Sequence, residues 1–567
     1  MSIVSRILNN VDSNSKIYQN DKEYSYRELI NLSHRISNII QNFKEQYIIL
    51  KVSGSLHDIA TILAIWNCGK IYVPVRVNVP EEKLKLIQDV VVNYKVISFD
   101  DEKMYVDGIE CDISKSSDIS KNVNNNNLMA YVIFTSGTTG IPKGVPISHK
   151  NLEELFISCE DKFSFNENDT WINFHSLSFD FSIWEIFGCL LNSSNLVLLG
   201  DTKNIELDKV SKLIIEKGVT VLNQTPSVFT ALSEYLLKSK EHSIRYLIFG
   251  GEKLNCSSIK KFYNNNIETK FINMYGITEV TIHATFHEIT DIDFVNERES
   301  NIGVGLQNDN VFLVNQSRNR ITSGEGEIVV SGSTVSKGYL NRESLGSNAV
   351  FQAKDGVQYY YSGDLGKYND KNEIIYIGRR DLQIAKNGYR IELGEIKDAI
   401  ISSGFLKNCE MDFYNDQIIC YYKSEFYDLK QQDILRLNKK LRIYIEDYKI
   451  PNRYCAVEKF STNENGKINV KKLRMNLLTN NDISNDLTLK EWLKKKVSKY
   501  TGRDYIHVSE NISFVEMGVT SLQMISIHQE ISDTFKLDKP FSVIDLFEYG
   551  TINKLCNYFE IKDEKIL

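Results

Sequence analysis

The 567-residue chain lacks several features that would assign it to a class at once. No stretch approaches the roughly 20 apolar residues that a membrane-spanning helix needs, and residues 1–14 lack the apolar segment of a secretory signal. The nine cysteines show no CxxC spacing, and their odd number argues against a disulfide framework or a structural zinc site. We therefore expect a cytoplasmic protein with reduced thiols.

Long blocks of one charge sign are also absent. The net charge of -7 is spread along the chain, which gives no electrostatic reason to expect nucleic acid or an anionic membrane as a partner. Hydrophobic residues make up 42% and charged residues 25%, as in ordinary globular proteins. A chain of this length exceeds what one hydrophobic core supports, so we expect a large domain and one or more smaller ones.

Short apolar segments alternate with helical patterns over the first half of the chain. Residues 131–134, 246–249 and 270–272 each read as a strand that ends at a glycine-bearing turn. Helical periodicity lies between such segments, for example at 152–159 and 210–216. This alternation predicts an α/β fold with a mainly parallel sheet. Because ligands collect beyond the carboxyl ends of such strands, the three turns are candidates for one shared site.

The pattern of apolar and polar residues changes twice after this region. From about residue 381 a compact segment predicts a small α+β subdomain, and the polar residues 480–485 could form a linker. Residues 487–559 have strong helical periodicity, which predicts a bundle of short helices. The apolar stripe of that bundle contains Met524, Ile527, Ile531 and Phe535.

A loop rich in glycine and hydroxyl groups follows the first of these strands. Its sequence, TSGTTGIPKG at 135–144, offers backbone N–H groups, hydroxyls and the charge of Lys143, which together suit a polyphosphate. The loop is not a Walker A motif, because Gly144 stands where a Ser or Thr would hold magnesium. The alternative is a glycine-rich turn that binds no ligand.

This loop resembles the signature loop of the adenylate-forming superfamily, which includes acyl-CoA synthetases, luciferases and the adenylation domains of nonribosomal peptide synthetases. Further matching motifs follow in the family's order: NMYGITE at 273–279, YSGDL at 361–365, GRRD at 378–381, GYRIELGE at 388–395 and NGK at 465–467. The resemblance covers nearly all of residues 1–475. It implies a large adenylation domain at 1–380, a small mobile α+β subdomain at 381–478 with Asp381 as its hinge, and a helical carrier domain at 486–562.

The resemblance also implies how ATP and Mg²⁺ are bound. Tyr275 would stack on adenine, Asp364 would accept both ribose hydroxyls, and Arg379 would contact ribose or phosphate. Thr278 would bind the α-phosphate and Glu279 would help to hold Mg²⁺. Lys467 would bridge the substrate carboxylate and the α-phosphate, whereas without the motif context it would read as a surface lysine. The remaining ATP-binding residues implied are Thr135, Ser136, Gly137, Thr138, Thr139, Lys143, Gly251, Asn273 and Gly276.

The segment FDFSIWEIF at 179–187 distinguishes between substrate classes. It resembles the family motif in which an aspartate, here Asp180, pairs with the α-ammonium of an amino acid. Such a carboxylate is required for an amino acid, because an unpaired ammonium in an apolar pocket is heavily penalised. The alternative is that Asp180 merely caps a helix. His175, five residues earlier, is either a residue at the substrate mouth or a packed core histidine.

The other pocket positions follow from aligning the family motifs. Most are large and apolar, while Asn223 and His283 are polar, and the set resembles that of threonine-activating domains. A site that bonds the threonine hydroxyl rejects valine strongly, whereas it rejects serine only through one methyl group. With Asp180 and Lys467, the implied substrate-binding set is Phe181, Trp184, Asn223, Ile248, Gly250, Met274, Ile282 and His283.

The segment FVEMGVTSL at 514–522 resembles the 4'-phosphopantetheine attachment motif of peptidyl carrier proteins, with Ser521 as the modified residue. The alternative is an ordinary N-cap serine. The resemblance implies a phosphopantetheinyl transferase as one partner, and condensation or tailoring enzymes in trans, since the sequence ends without such a domain. The competing functions are an acyl-CoA ligase, against which Asp180 and Ser521 argue, and a non-catalytic docking scaffold, against which Lys467, Glu279 and Asp364 argue.

Overall fold

We describe the fold from a computed structural model of the chain. Helices and sheets alternate through most of it, which confirms the α/β class. The structure describes residues 3–11, 13–114, 128–135, 142–200, 206–239, 242–295, 299–307, 309–340, 350–379, 383–386, 389–406, 409–414, 417–423, 429, 431–457, 460, 470, 473–474, 489–501, 508–519, 523–524, 527–528, 530–531 and 541–559.

The strands are numbered here in chain order. They are β1 (Lys16–Gln19), β2 (Lys22–Ser25), β3 (Tyr47–Val52), β4 (Ile71–Arg76), β5 (Tyr94–Asp100), β6 (Lys103–Val106), β7 (Ile109–Cys111), β8 (Met129–Thr135), β9 (Lys143–Ser148), β10 (Thr170–Asn173), β11 (Asn195–Leu198), β12 (Val221–Gln224), β13 (Tyr246–Phe249), β14 (Lys270–Asn273), β15 (Thr285–Glu288), β16 (Ser300–Gly305), β17 (Val311–Val314), β18 (Arg320–Ile321), β19 (Glu325–Ser331), β20 (Phe351–Lys354), β21 (Val357–Tyr368), β22 (Ile374–Arg379), β23 (Gln383–Lys386), β24 (Tyr389–Glu392), β25 (Cys409–Tyr414), β26 (Gln417–Lys423) and β27 (Arg453–Val457).

The α-helices are numbered in the same way. They are α1 (Ile3–Leu8), α2 (Tyr26–Ile40), α3 (Leu56–Asn67), α4 (Glu81–Val90), α5 (His149–Glu160), α6 (Phe181–Leu191), α7 (Leu207–Glu216), α8 (Pro226–Ser239), α9 (Cys256–Asn265), α10 (Leu393–Ser402), α11 (Gln431–Leu441), α12 (Leu489–Thr501), α13 (Val543–Glu548) and α14 (Ile552–Tyr558).

Two large sheets form the first part of the chain, where the sequence predicted one mainly parallel sheet. One sheet has seven strands in the order β7-β6-β5-β3-β4-β8-β9, and the other has fifteen, in the order β18-β17-β19-β21-β22-β16-β15-β14-β13-β12-β10-β11-β1-β2 with β20 beside β21. In the larger sheet β10 to β14 run parallel, while β14 to β22 pair antiparallel. The prediction of a single sheet was wrong because long-range pairing places β8 apart from β13 and β14.

The parallel strands of the larger sheet place the site. The segments predicted at 246–249 and 270–272 are β13 and β14, and each is almost wholly buried, as expected for strands covered on both faces. Gln224 pairs in register with Phe249, and Phe249 with Asn273, so three strands end at one level. The turns that follow β13 and β14 therefore lie side by side, as predicted. The predicted helices at 152–159 and 210–216 fall within α5 and α7.

The small α+β subdomain has its own core beneath β25, β26 and β27, packed by α10 and α11. A buried group of charges joins it to the large domain. Lys449 Nζ lies 2.7 Å from Glu395 Oε2 and 3.1 Å from Glu446 Oε2, and Lys83 of α4 donates to Glu446 as well. Burial opposes the charge of Lys449, but the carboxylates of Glu446 and Glu395 raise its pKa above the ordinary value. The predicted hinge, Asp381, lies outside the described residues.

The C-terminal helices form a separate core, as predicted. Met524, Ile527 and Ile531 are fully buried there, while Phe535 lies outside the described residues. The structure describes all nine cysteines, and no two of them form a disulfide. Among the described helices, none combines the length and apolar character that crossing a bilayer requires. The linker expected at 480–485 also falls outside the described residues.

We expect Lys449→Met to weaken the small subdomain by about 3 to 5 kcal/mol, because it leaves the buried carboxylate of Glu395 without its ammonium partner and Glu446 with Lys83 alone. Urea unfolding of the full chain, followed by protease sensitivity of the small subdomain, measures the loss. Lys22→Met is the control, since Lys22 pairs with Glu102 on the exposed surface, where an ion pair contributes about 0 to 1 kcal/mol. Equal shifts for the two variants would contradict the role given to the buried group.

Candidate functional site

A cavity opens where β13 and β14 end and α6 begins. Its wall is formed by the turns after these two strands, by residues 179–181, and by β21 and β22 on the opposite side. The cavity thus lies at the carboxyl ends of parallel strands, where the sequence predicted a site. Many of the predicted binding residues lie on this wall: Asp180, Phe181, Gly251, Asn273, Met274, Tyr275, Gly276, Thr278, Ile282, Asp364 and Arg379.

The carboxylate of Asp180 is buried at the first turn of α6. Asp180 occupies the N-cap position, but its side chain makes no capping hydrogen bond, which argues against the capping alternative. Burial, with a smaller contribution from the charge of Glu279, raises its pKa from 3.8 to about 6, although a hydrogen bond from the Thr278 side chain acts in the opposite direction. At neutral pH the cavity therefore contains a negative charge that is ready to pair with a cationic ligand.

The turn after β14 is held in an unusual backbone conformation. Thr281 and Ile282 have φ angles of 65° and 69°, a region that a β-branched residue rarely adopts. A Cβ on Gly276 would lie 2.0 Å from the carbonyl oxygen of Ile282, so only glycine fits there. The Thr281 hydroxyl donates to Thr334 O at 2.6 Å, and Ala284 N donates to Tyr275 O at 2.7 Å. These bonds hold Ile282 against the cavity.

Asp364 organises the end of the cavity expected to bind the nucleoside. Tyr275 Oη donates to its Oδ2 at 2.6 Å, and Arg379 Nη1 donates to its Oδ1 at 3.2 Å. Tyr376 also reaches Oδ1, at 3.4 Å, and the rings of Tyr275 and Tyr376 lie 6.0 Å apart. Asn273 is held by its amide, which donates to Asn301 O at 2.6 Å. A carboxylate and two aromatic rings at one end suit a ribose and a base.

Residues expected to handle phosphate adjoin the end of the cavity where Thr278 lies. Lys143 pairs in register with Thr135, and its ammonium lies 5.4 Å from the ring centre of Tyr339. Tyr339 Oη donates in turn to Glu279 Oε1 at 2.9 Å. Lys143 and Glu279 are thus neighbours through one tyrosine. Four predicted loop residues, Ser136, Gly137, Thr138 and Thr139, lie outside the described residues, and so do Lys467 and Ser521.

The chemistry of this end fits a magnesium ion bound together with nucleotide. Within the described part of the chain, no group of three or more His, Cys, Asp or Glu side chains could hold a metal unaided. Mg²⁺ commonly takes one or two carboxylates and completes its shell with phosphate oxygens and water. Glu279, fully buried beside Thr278, would supply such a carboxylate. The ion would offset the charge of the phosphates.

A second layer of predicted pocket residues lies behind the cavity wall. A Cβ on Gly250 would lie 2.8 Å from Phe181 Cζ, so glycine makes room for that ring. The ring of His283 lies 5.3 Å from Phe181 and 5.2 Å from Trp184. Burial lowers the pKa of His283 to about 3, so its ring is neutral. Asn223 and Ile248, which pair in register, complete this layer and are fully buried.

Sequence reasoning missed Glu185, a fully buried carboxylate on α6. It accepts hydrogen bonds from Asn173, from Asn223 and from backbone N–H groups of residues 174 and 175. His175, whose role the sequence left open, has Nδ1 2.5 Å from Glu185 Oε1. The available signal was an acid within the otherwise apolar run FSIWEIFGCLL of α6. Such an acid requires buried partners.

Comparison with known proteins agrees with this geometry. A family model described as AMP-binding enzyme matches residues 9–340, and one described as phosphopantetheine attachment site matches residues 491–559. The chain belongs to the AMP-binding enzyme family. It is therefore an adenylate-forming ligase that uses ATP, and its C-terminal part is a carrier domain for 4'-phosphopantetheine.

Several curated relatives are nonribosomal peptide synthetases. A plipastatin synthase polypeptide of Bacillus subtilis (strain 168) is 30% identical over 564 residues, which are 94% of this chain and 21% of that protein. A dimodular nonribosomal peptide synthase of the same organism is 30% identical over 82% of this chain, again with 21% of its own length covered. The chain thus spans about a fifth of each of these relatives. Syringomycin synthase SyrB1 of Pseudomonas syringae pv. syringae is 31% identical over 67% of this chain and 64% of its own length.

Solved structures share the whole architecture. Holo-PA1221, an NRPS protein containing adenylation and PCP domains, aligns with a TM-score of 0.76 at 22% identity. The alignment covers 99% of this chain and 96% of that one. The fold of an adenylation domain followed by a carrier domain therefore extends over nearly the full length.

We expect Asp180→Asn to stabilise the large domain and to remove most of its activity. The wild-type carboxylate has a higher pKa folded, about 6, than unfolded, near 3.8, so its ionisation costs about 3 kcal/mol of stability above pH 6. The variant should be more stable by about that amount at pH 7.5, and the difference should shrink toward pH 5. Urea unfolding followed by tryptophan fluorescence at the two pH values measures it.

With the amino-acid substrate proposed below, the same variant should lose activation by about 100- to 1,000-fold, because the substrate ammonium would be buried without a counter-charge. In the wild type, kcat/KM for the amino acid should fall as the pH drops below about 6. Pyrophosphate exchange measures both effects. A variant that is less stable than the wild type and equally active would contradict the role of Asp180.

Proposed function

We propose that this chain activates L-threonine as threonyl-AMP and then loads it as a thioester onto the phosphopantetheine arm of its own carrier domain. The first step joins a carboxylate oxygen of the amino acid to the α-phosphorus of ATP, and pyrophosphate leaves. In the second step the thiolate of the arm attacks the acyl carbon, and AMP leaves. The product would serve nonribosomal peptide or related secondary-metabolite synthesis.

The burial of Asp180 is the observation that carries this proposal. A carboxylate with its pKa raised to about 6 inside an apolar cavity makes no favourable contact with a fatty or aryl acid, but it pairs with an α-ammonium group. This favours an amino-acid substrate over the acids taken by an acyl-CoA ligase. The polar contacts among Asp364, Tyr275 and Arg379 favour a working nucleotide site over a docking scaffold.

Threonine is favoured by the layer behind the cavity wall. Asn223 Oδ1 and both ring nitrogens of His283 are buried and have no hydrogen-bond partner among the described residues. Leaving such groups unpaired costs about 1 to 3 kcal/mol each. A substrate hydroxyl would recover part of this cost, because it can donate one hydrogen bond and accept another. Phe181 and Trp184 restrict the space beside them, which suits a side chain the size of threonine.

We assign the remaining roles as the family motifs suggest. Thr278 and Lys467 would hold the reacting carboxylate and α-phosphate in line, and this alignment supplies most of the catalysis in phosphoryl chemistry. Asp381 would be the hinge at which the small subdomain turns between the two half-reactions. Ser521 would carry the arm, attached by a phosphopantetheinyl transferase, and condensation or tailoring enzymes would receive the amino acid.

Among the twenty amino acids we expect threonine to give the fastest ATP–pyrophosphate exchange. Serine, which lacks one methyl group, should be weaker by about 10- to 100-fold, and valine, which lacks the hydroxyl, by about 10,000-fold. Initial rates at subsaturating amino acid measure these ratios. Allo-threonine is the matched control for the position of the hydroxyl. A preference for valine or an aromatic amino acid would exclude threonine as the substrate.

Ser521→Ala should abolish loading and leave adenylate formation intact, because the arm and the adenylation site are separate. Wild-type protein treated with a phosphopantetheinyl transferase, coenzyme A, ATP and threonine should gain the mass of the arm plus one threonyl group. The variant should gain neither, while its exchange rate stays at the wild-type level. A covalent threonine on the variant would show that another residue accepts it.

A further inference from the structure

Glu185 divides its hydrogen bonds between its two oxygens. Oε2 accepts from Asn173 Nδ2 at 2.8 Å, from Phe174 N at 3.0 Å and from His175 N at 3.1 Å. Oε1 instead faces His175 Nδ1 at 2.5 Å and accepts from Asn223 Nδ2 at 3.3 Å. One oxygen thus fixes the chain after β10, and the other faces two side chains near the pocket.

The Oε1 contacts determine which way the amide of Asn223 points. An ionised carboxylate only accepts hydrogen bonds, so Asn223 must turn its NH₂ group toward Glu185 and its carbonyl oxygen away. That oxygen, Oδ1, is buried and has no hydrogen-bond partner among the described residues. The amide is therefore held with its NH₂ group on Glu185 and its acceptor oxygen unsatisfied among the described residues.

We propose that Glu185 is a positioning residue that sets the hydrogen-bond polarity of the substrate pocket, by holding Asn223 so that it presents an acceptor to the substrate side chain. This inference rests on the proposed function, since the group presented to Asn223 is the substrate hydroxyl. The pocket then demands a side chain that donates a hydrogen bond. A group of the same size that can only accept one is rejected by repulsion between two lone-pair atoms.

Replacing Glu185 by glutamine should reverse this polarity with little change of shape. The three N–H donors around Oε2 require an oxygen, so the glutamine carbonyl stays there and its NH₂ group takes the place of Oε1. Asn223 must then offer its own oxygen to that NH₂ group. Its amide turns over, and the pocket receives an N–H donor in place of an acceptor.

Threonine alone does not report this change, because a hydroxyl both donates and accepts. The informative substrate is the analogue in which fluorine replaces the hydroxyl, 2-amino-3-fluorobutanoate, since fluorine only accepts. We expect Glu185→Gln to lower the ratio of kcat/KM for threonine to that for the analogue by about 10-fold or more, the size of one buried hydrogen bond gained or lost. Pyrophosphate exchange with both substrates measures the ratio.

The double variant Glu185→Gln, Asn223→Asp tests whether Glu185 acts through Asn223. Here the glutamine NH₂ group donates to one aspartate oxygen, and the other oxygen faces the pocket as an acceptor again. The selectivity for threonine over the fluoro analogue should return toward the wild-type ratio. A double variant with the same low ratio as Glu185→Gln would overturn the proposal, and so would an unchanged ratio in Glu185→Gln.

Asp58→Asn is the matched control, because Asp58 is also a fully buried carboxylate that accepts from several backbone N–H groups, yet it lies at the start of α3. It should change stability and leave the ratio of kcat/KM for threonine to that for the fluoro analogue unchanged.

If Glu185→Gln fails to fold, the single variant Asn223→Asp tests the contact between Glu185 and Asn223. Its two facing carboxylates, with His175 beside them, would share one proton, so its threonine activity relative to the wild type should fall as the pH rises. A relative activity that does not change with pH would contradict the contact.

The outcomes separate this inference from the proposed function. A wild-type protein that prefers threonine, with a ratio that Glu185→Gln does not alter, refutes the positioning role and leaves the function intact. A wild type that prefers another hydroxyl amino acid refutes threonine, and the same comparison with the fluoro analogue of that substrate still tests Glu185. A wild type that prefers a side chain without a donor refutes both.

Discussion

A negative charge buried at the start of an apolar helix is the constraint on which the site depends. Asp180 precedes a helix in which nearly every residue is buried, so water does not stabilise its carboxylate. Its pKa of about 6 leaves it ionised at neutral pH and in need of a cation. The amino-acid preference proposed for this site would therefore arise from how α6 packs. The ionised carboxylate lowers the stability of the fold at this position, and binding of a cationic ligand would recover the loss.

The same helix carries a second carboxylate with the opposite character. Glu185 lies about one turn further along and receives donors from the end of β10 and from β12, so its charge is fully hydrogen-bonded. The helix thus contains one satisfied acid and one that is only partly satisfied. The first fixes neighbouring groups, and the second is left to bind a ligand. Two residues of the same charge have different functions because the surrounding strands supply donors to Glu185 in greater number.

Much of the site could be predicted, and the gaps have physical causes. Local motifs predicted that Asp180, Tyr275 and Asp364 share one site, and the three residues line one cavity. The motifs could do so because the chemistry of each proposed role demands a particular residue type within a short segment. The role of Glu185 could not be predicted, because its partners are 10 to 38 residues away in sequence and contact it only once the strands have paired. The division into two sheets could not be predicted either, because it also depends on pairing between strands that are distant in sequence. The backbone of Ile282 gave no signal, because β-branched residues normally avoid positive φ.

The close approach of Gly276 to the carbonyl of Ile282 has a consequence for altering substrate choice. Main chain, in a conformation that its own side chains disfavour, forms the inner boundary of the binding pocket, and it fixes where residues 274, 282 and 283 project. Exchanging single side chains for those of a relative would leave that boundary in place. The introduced side chains would then project in the wrong direction. To change the substrate preference, residues 273–284 would have to be exchanged as one segment, together with the loop at 334 to which Thr281 is hydrogen-bonded.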